Sequence, residues 1–414
     1  MDITITSGKL VYLDRGGFLL ESIKDKVAII GVGCTRFGEN FEMTYGDMIV
    51  DAVFEAYEDA CIDPKQIEAA YLSTAFPELQ AAQGRSGMSL SEPLSLSHIP
   101  ITRIGNYCAS GSDAIRNASM AIASGLYDII LVVGVEKLRD LSPRESLVSQ
   151  AINTGHPLIT KGLTAPGIFA LFANRYFYKY KVDRTCLAKV AVKNHFNGSL
   201  NPKSFLRNKI KEEDVLNAPF VADPLGLMDC TPITDGAAAV ILTKRELARN
   251  FNKNFVLIKG TSLCVTGGNT LLFQKNNDFT GFQSTIEAAR TAYEQAGIRN
   301  PKEEIDVAEV HDCFTITEIL NYEDLLFCAK GDGWRMVHEG VTGLNGELPI
   351  NPSGGLKTNG HPVGATGVRQ IYEIVKQLQE KAGARQVKNA RIGLTHTLGG
   401  PGGVAAVTIL GIGK

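Results

Sequence analysis

Two segments far apart in the chain hold residues that could do covalent chemistry together. Asn106-Tyr107-Cys108-Ala109-Ser110-Gly111-Ser112 places a thiol at the predicted start of a helix, and Gly360-His361-Pro362-Val363-Gly364-Ala365-Thr366-Gly367 places an imidazole in a glycine-rich turn. The free N–H groups and macrodipole of a helix N-terminus stabilise a thiolate. With a histidine beside it, Cys108 is expected to titrate at roughly 3.5–7.5 instead of near 8.5. A thiolate and a base that can hold and return its proton are what acyl transfer through a covalent intermediate requires. The plainer readings are a packed core cysteine and a histidine that caps a helix.

Two further segments carry polar groups into otherwise apolar surroundings. His311-Asp312-Cys313-Phe314 follows the predicted strand Ile305–Val310, and the carboxyl ends of strands are where open α/β sheets place ligands. Asp229-Cys230-Thr231-Pro232-Ile233-Thr234-Asp235-Gly236 precedes a run of alanines, and His396-Thr397-Leu398-Gly399-Gly400 closes the set. Gly399 supplies bare backbone that can come close to a ligand. Lys203, Arg207, Lys209 and Lys211 form a short basic cluster that could meet phosphate groups or be a solvated face.

The elements that must position these groups read as two similar series. Lys26–Gly33 is a buried strand, Thr44–Ala60 a helix, Ala69–Thr74 a strand, Ala109–Ser124 a helix stopped by Gly125, and Asp128–Val135 a strand. Later come a helix over Gln283–Gly297, the Ile305–Val310 strand, a turn over Gly355–Gly367 leading into a helix through Leu378, and strands Arg391–Thr395 and Val404–Leu410. Helices meeting face to face at the centre of such a duplicated unit would bring Cys108 and His361 together. Residues from about 137 to 217 break the pattern and read as an insertion, whose Phe169, Phe172, Tyr176, Phe177, Tyr178 and Tyr180 could line a pocket or pack among themselves.

A chain of 414 residues can bury large cores. Its 44% apolar and 21% charged residues are ordinary for a globular protein, and a net charge of −2 gives no general attraction to nucleic acid. The eight cysteines include no Cys-x-x-Cys pair and the seven histidines no His-x-x-x-His pair, so neither a disulfide framework nor a metal centre is expected. Apolar runs such as Ile129–Val133 fall far short of the ~20 residues of a membrane span. No signal peptide is read, because Gly17–Leu20 is too short for its apolar region, and a cytoplasmic protein is the expectation.

Taken in order, the Cys108, Asp229, His311 and His361 segments resemble those of the thiolase superfamily from about Lys26 to the end of the chain. The His-Asp-Cys-Phe run is similar to that of the sterol-carrier-protein type and of archaeal thiolases. The resemblance implies an α/β thiolase fold, a duplicated five-layered αβαβα unit with an inserted loop domain. It implies an extension over 1–25, a first half over 26–260 that includes the insertion at about 137–217, and a second half over 261–414. It gives Cys108 the acyl group, makes His361 its base, and puts His311 in the oxyanion hole for an acetyl-CoA enolate. Gly399 and Cys108 would supply N–H groups to a second oxyanion hole. The usual second acid/base cysteine is missing, since Thr397 stands in its run, so Cys313 is expected to take that role, with His396 as its rival.

The same resemblance implies coenzyme A as a substrate, no covalently bound cofactor, and a homodimer or homotetramer; Lys203 and Arg207 of the basic cluster are the candidate coenzyme A contacts, with a solvated face as the alternative. An OB-fold zinc-ribbon companion subunit accompanies some similar thiolases. The expected reaction is acyl transfer between a 3-oxoacyl-CoA and coenzyme A, with acetoacetyl-CoA or a larger aromatic ester such as benzoylsuccinyl-CoA as substrate. A condensing synthase of the same fold and a non-catalytic acyl-CoA-binding or scaffold subunit are the alternatives.

Overall fold

The computed structural model describes residues 22–76, 83–142, 144–145, 163–267 and 277–413. Residues 1–21 of the expected extension and part of the expected insertion lie outside the described residues. The strands are β1 (Val27–Cys34), β2 (Ala69–Ser73), β3 (Ile101–Ile104), β4 (Ile129–Glu136), β5 (Phe220–Ala222), β6 (Leu225–Gly226), β7 (Gly236–Lys244), β8 (Val256–Val265), β9 (Val307–Glu309), β10 (Ile392–Gly399) and β11 (Val404–Ile412). Nine of them form a mixed sheet in the order β3-β2-β4-β7-β1-β8-β11-β10-β9, and β5 and β6 make a separate hairpin. The middle of this sheet is narrow. β1 meets β8 through two residue pairs, Ala28–Leu257 and Ile29–Val256, whereas β8 and β11 pair from Val256 to Val265. β8 also runs across residue 260, where the sequence resemblance divides the halves.

Side-chain alternation makes β1 serve two cores at once. Ala28 and Ile30 face the helix Tyr45–Ala60, whose Met48, Ile49, Ala52 and Val53 are fully buried. Val27, Ile29 and Val32 face the opposite way, into the core formed with Ile115, Ala118, Val368 and Ile371. Those last four belong to the helices Ser110–Ala123 and Val363–Leu378, which touch each other between the two wings of the sheet. Beyond the second wing, the helix Gln283–Ala296 packs on β8 and β11. The succession is helix, sheet, helix pair, sheet, helix, an α/β arrangement of five layers.

The two central helices approach at backbone distance. A Cβ on Gly111 would lie 2.8 Å from the Val368 nitrogen, and one on Gly367 would lie 2.5 Å from the Ser112 nitrogen. Only hydrogen at those positions permits the contact.

The segment read as an aromatic, irregular insertion contains two long helices, Ala165–Tyr180 and Thr185–Ser199. The signal was present in the spacing of Ile168/Phe169, Phe172/Ala173 and Tyr176, all buried on one face. Phe169 stacks on Phe314 with centroids 4.8 Å apart, Phe172 on Phe282 at 4.9 Å, and the Tyr176 hydroxyl donates to Glu323 at 2.6 Å. Of the six aromatics, Tyr178 is exposed and Phe169, Phe172 and Tyr176 pack the domain interior.

Candidate active site

Cys108 sits in a tight turn just ahead of its helix. Tyr107 takes φ of 48°, in the left-handed region that costs a non-glycine residue energy unless its surroundings hold it. They do: the Ser110 hydroxyl donates to the Tyr107 carbonyl at 2.5 Å and accepts from the Asn106 N–H at 2.7 Å, while Asn106 Nδ2 donates to Asp113 at 2.6 Å. The turn presents the thiol beside Phe76, Leu138 and Val363.

This apolar setting works against the expected thiol acidity, although Cys108 stays partly exposed. Burial pushes the Cys108 thiol up to about 12, and the N–H groups of Gly400 and of Cys108 itself only partly oppose it. The helix begins at Ser110, so the sulfur stands outside its first turn, and the nearby Glu136 carboxylate opposes ionisation further. Desolvation of the charged form wins over the dipole. The balance favours the neutral thiol.

His361 is brought to it by the helix Val363–Leu378. The Glu136 carboxylate at the end of β4 ties the start of that helix to the end of β2. It accepts from Gly364 N at 2.8 Å, Ala75 N at 2.8 Å and the Thr74 hydroxyl at 2.7 Å. Thr366 Oγ1 lies 2.6 Å from His361 Nδ1 and donates to the Pro362 carbonyl at 3.0 Å. With the hydroxyl turned to the Pro362 carbonyl, Nδ1 carries the ring proton and Nε2 the lone pair. Nε2 is buried with no hydrogen-bond partner, and burial pushes the ring down to about 3, which keeps it neutral.

His311 completes the cluster. Cys108 Sγ and one ring nitrogen from each of His311 and His361 lie within 4.8 Å of one another, and the two rings meet edge to face at 5.2 Å. The segment is pinned from behind: Asn321 Nδ2 donates to the His311 carbonyl at 2.7 Å, and Thr231 N donates to the Cys313 carbonyl at 3.1 Å. Asp312 turns away and accepts from Leu356 N at 2.6 Å and Asn194 Nδ2 at 2.8 Å, fixing the approach to Gly360. Cys313 is buried, its sulfur 3.6 Å from the Thr317 hydroxyl. Burial drives its thiol well above the ordinary range, and the neighbouring Cys108 adds to the shift.

The two faces of β10 divide the remaining candidates, yet burial, His361 and His396 together push the His311 pKa down, so His396 still lies close to that ring. Thr397 points inward and donates to Ser112 Oγ at 3.0 Å, whereas His396 points the other way, with Nε2 3.0 Å from Thr285 on the outer helix. At the strand's end, a Cβ on Gly399 would come 2.9 Å from the Asn106 carbonyl and 3.4 Å from Ala109 N. The bare backbone there closes on the Cys108 turn.

Lys203 and Arg207 are not brought together as phosphate contacts. The Lys203 ammonium pairs with Glu55 and the Cys34 carbonyl and lies 5.1 Å from the Tyr372 ring centroid. Its charge is engaged inside the fold. Arg207 is exposed. Thr366 and Glu136 went unread as positioning groups, although a carboxylate closing a strand of buried apolar residues was a visible signal. No helix among the described residues is long and apolar enough to cross a membrane.

Compared with known proteins, residues 27–246 match the family described as thiolase, N-terminal domain, and residues 267–412 match thiolase C-terminal domain-like. The chain is 42% identical over 383 residues to an acetyl-CoA acetyltransferase of Methanothermobacter thermautotrophicus, covering 92% of this chain and 98% of that one. It is 33% identical over 405 residues to sterol carrier protein 2 of Oryctolagus cuniculus, covering 94% and 72%. Among solved structures, an Ltp2-ChsH2(DUF35) aldolase superposes with a TM-score of 0.81 at 24% identity, covering 94% of this chain and 99% of that one, a likeness of fold.

Proposed function

Because the chain belongs to the thiolase superfamily and is an acyltransferase of thiolase type, we propose that it moves acyl groups between a 3-oxoacyl-CoA and coenzyme A through a thioester on Cys108. The convergence of Cys108, His311 and His361 within 4.8 Å carries the reading. His361 Nε2 takes the thiol proton as the sulfur attacks the keto carbon. The bond between that carbon and the α-carbon breaks, and an acetyl-CoA enolate leaves with its oxygen held by His311. Cys313 gives the α-carbon its proton. Free coenzyme A then attacks the thioester, and Cys108 leaves as a thiolate that recovers a proton through His361. The N–H groups of Gly399 and Cys108 hold the oxyanion of each tetrahedral intermediate, a contribution of about 3 kcal/mol per donor. Synthesis runs the same steps in reverse.

Acetoacetyl-CoA is the substrate this reading favours, supported by the named activity of the Methanothermobacter relative. The relatives lend no support to benzoylsuccinyl-CoA. The chain works as a homodimer or homotetramer in the cytoplasm, and the pairing of Ltp2 with ChsH2(DUF35) in the solved aldolase supports a companion subunit. Arg207 remains a candidate for the coenzyme A phosphates, and Lys203 would serve only by leaving Glu55.

Incubation with acetyl-CoA, acid quench and peptide mass analysis test the core of the proposal. Acetylation of Cys108 is expected, and none in Cys108→Ala. An active preparation acetylated solely at another cysteine would refute it. A thiolysis screen over acetoacetyl, long-chain and aryl 3-oxoacyl-CoA esters tests the substrate.

A further inference from the structure

We propose that Cys108, His311 and His361 also form a binding site for a borderline-soft divalent cation, zinc in particular, and that the metal-bound form cannot accept an acyl group. The binding part stands on side-chain geometry alone; the inhibition rests on the acyl-cysteine reading above. Spacing along the chain concealed this set, because each ligand comes from a different element.

Each of the three residues offers one ligand atom, and both histidines carry a ring nitrogen without a partner. His361 Nε2 is buried without a partner, while Nδ1 sits against the Thr366 hydroxyl. His311 Nδ1 is likewise buried without a partner. The cysteine sulfur and the two rings have ligand atoms within 4.8 Å of one another. Zinc bonds of about 2.3 Å to sulfur and 2.0–2.1 Å to nitrogen set tetrahedral ligands roughly 3.3–3.6 Å apart. The widest pair would therefore close by at most about 1.5 Å, within reach of side-chain rotation.

The surroundings also suit a metal. A histidine ligand usually donates its second ring N–H to an oxygen that fixes its tautomer, and Thr366 does this for His361. Sulfur and imidazole without a carboxylate select zinc over magnesium or calcium, which require oxygen. The Glu136 carboxylate, buried nearby, offsets the charge that the cation brings in. Three protein ligands leave a fourth position for water. On binding, a Zn–S bond forms and the one proton shared between the thiol and the imidazoles goes to solvent, whichever of them holds it at the start; each imidazole binds through a lone pair. The sulfur pair that would attack the keto carbon is then held by the metal.

The full chain, free of coenzyme A and reductant, can be titrated with zinc chloride against a chromophoric chelator in weak buffer at pH 7. One site per chain and release of one proton per zinc are expected, and cobalt(II) in its place should give a thiolate charge-transfer band. Cys108→Ala and His361→Asn should each weaken zinc by at least tenfold, and Thr366→Val by about tenfold. Zinc uptake without proton release, absence of the cobalt band, or unchanged affinity in Cys108→Ala would overturn the proposal. The first two are read on the unaltered protein, so misfolding of a variant cannot hide the answer. None of these readouts needs turnover, so failure here leaves the acyl-transfer reading standing, and the reverse holds too.

Discussion

The Thr366 hydroxyl holds His361 by its Nδ1 edge and leaves Nε2 as the ring nitrogen without a partner. It stands 2.6 Å from Nδ1 and 3.0 Å from the Pro362 carbonyl, one turn back at the head of the same helix. The orientation of the ring is thus set by a local helical contact. Thr366→Val should slow acetylation of Cys108 by about 10–100-fold, the usual cost of removing a group that orients a reactive histidine. Thr366→Ser should restore most of the rate, while circular dichroism shows both variants folded. Equal loss in the serine variant would assign the defect to packing.

A neutral thiol beside a neutral imidazole has a pH signature. Burial raises Cys108 to about 12 and lowers His361 to about 3. The competent pair, thiol and free base, therefore persists across the neutral range. Single-turnover acetylation should be flat between pH 5.5 and 8.5 to within about threefold. Iodoacetamide at pH 7 should modify exposed Cys61 well before Cys108. A rate that falls below an inflection near 6.5 would show an imidazole that protonates in the neutral range, and rapid alkylation of Cys108 would show a preformed ion pair instead.

Proton exchange at the acetyl α-carbon separates Cys313 from His396. His396 faces Thr285, away from the inward face of β10 where Thr397 meets Ser112. Cys313→Ala should still form the acetyl-enzyme but lose at least 100-fold in deuterium uptake from heavy water into acetyl-CoA, the scale of a lost acid/base group. Normal exchange in that variant with loss in His396→Ala would transfer the role to the histidine.

The contact between the central helices gives a stability test. Gly367→Ala pushes a methyl to 2.5 Å from the Ser112 nitrogen; the Ser112 hydroxyl can turn aside, but the Ser112 and Gly111 backbone cannot. Thermal or urea unfolding should show a loss of about 1–3 kcal/mol. Acetylation should fall as well, because the same displacement separates Cys108 from His361. Full activity with unchanged stability would mean that the helices can spread without disturbing the site.

Legibility followed the range of the forces involved. The Cys108 and His361 segments, strands β1 and β4 and the helices around Tyr45–Ala60 and Gln283–Ala296 announce themselves through local periodicity and glycine stops. The thiol's acidity did not. It depends on Phe76, Leu138 and Val363 packing against a half-buried Cys108, which helix position cannot report. Lys203 likewise looked available because Glu55, its partner, lies on a helix 148 residues earlier. The helices Ala165–Tyr180 and Thr185–Ser199 were hidden differently, since aromatic bulk drew attention from a regular spacing that was there to read.

The two-pair seam between β1 and β8 has a bearing on the safety of a reactive thiol. The Cys108 helix and the His361 helix come from opposite sides of that seam along the chain, and they are held together chiefly by the layer they build between the wings. Chains caught mid-synthesis, clipped, or pulled open at the seam would keep the cysteine but lose the histidine beside it. Such copies would carry an ordinary exposed thiol, open to oxidation and alkylation, so completed assembly shelters the cysteine as well as pairing it.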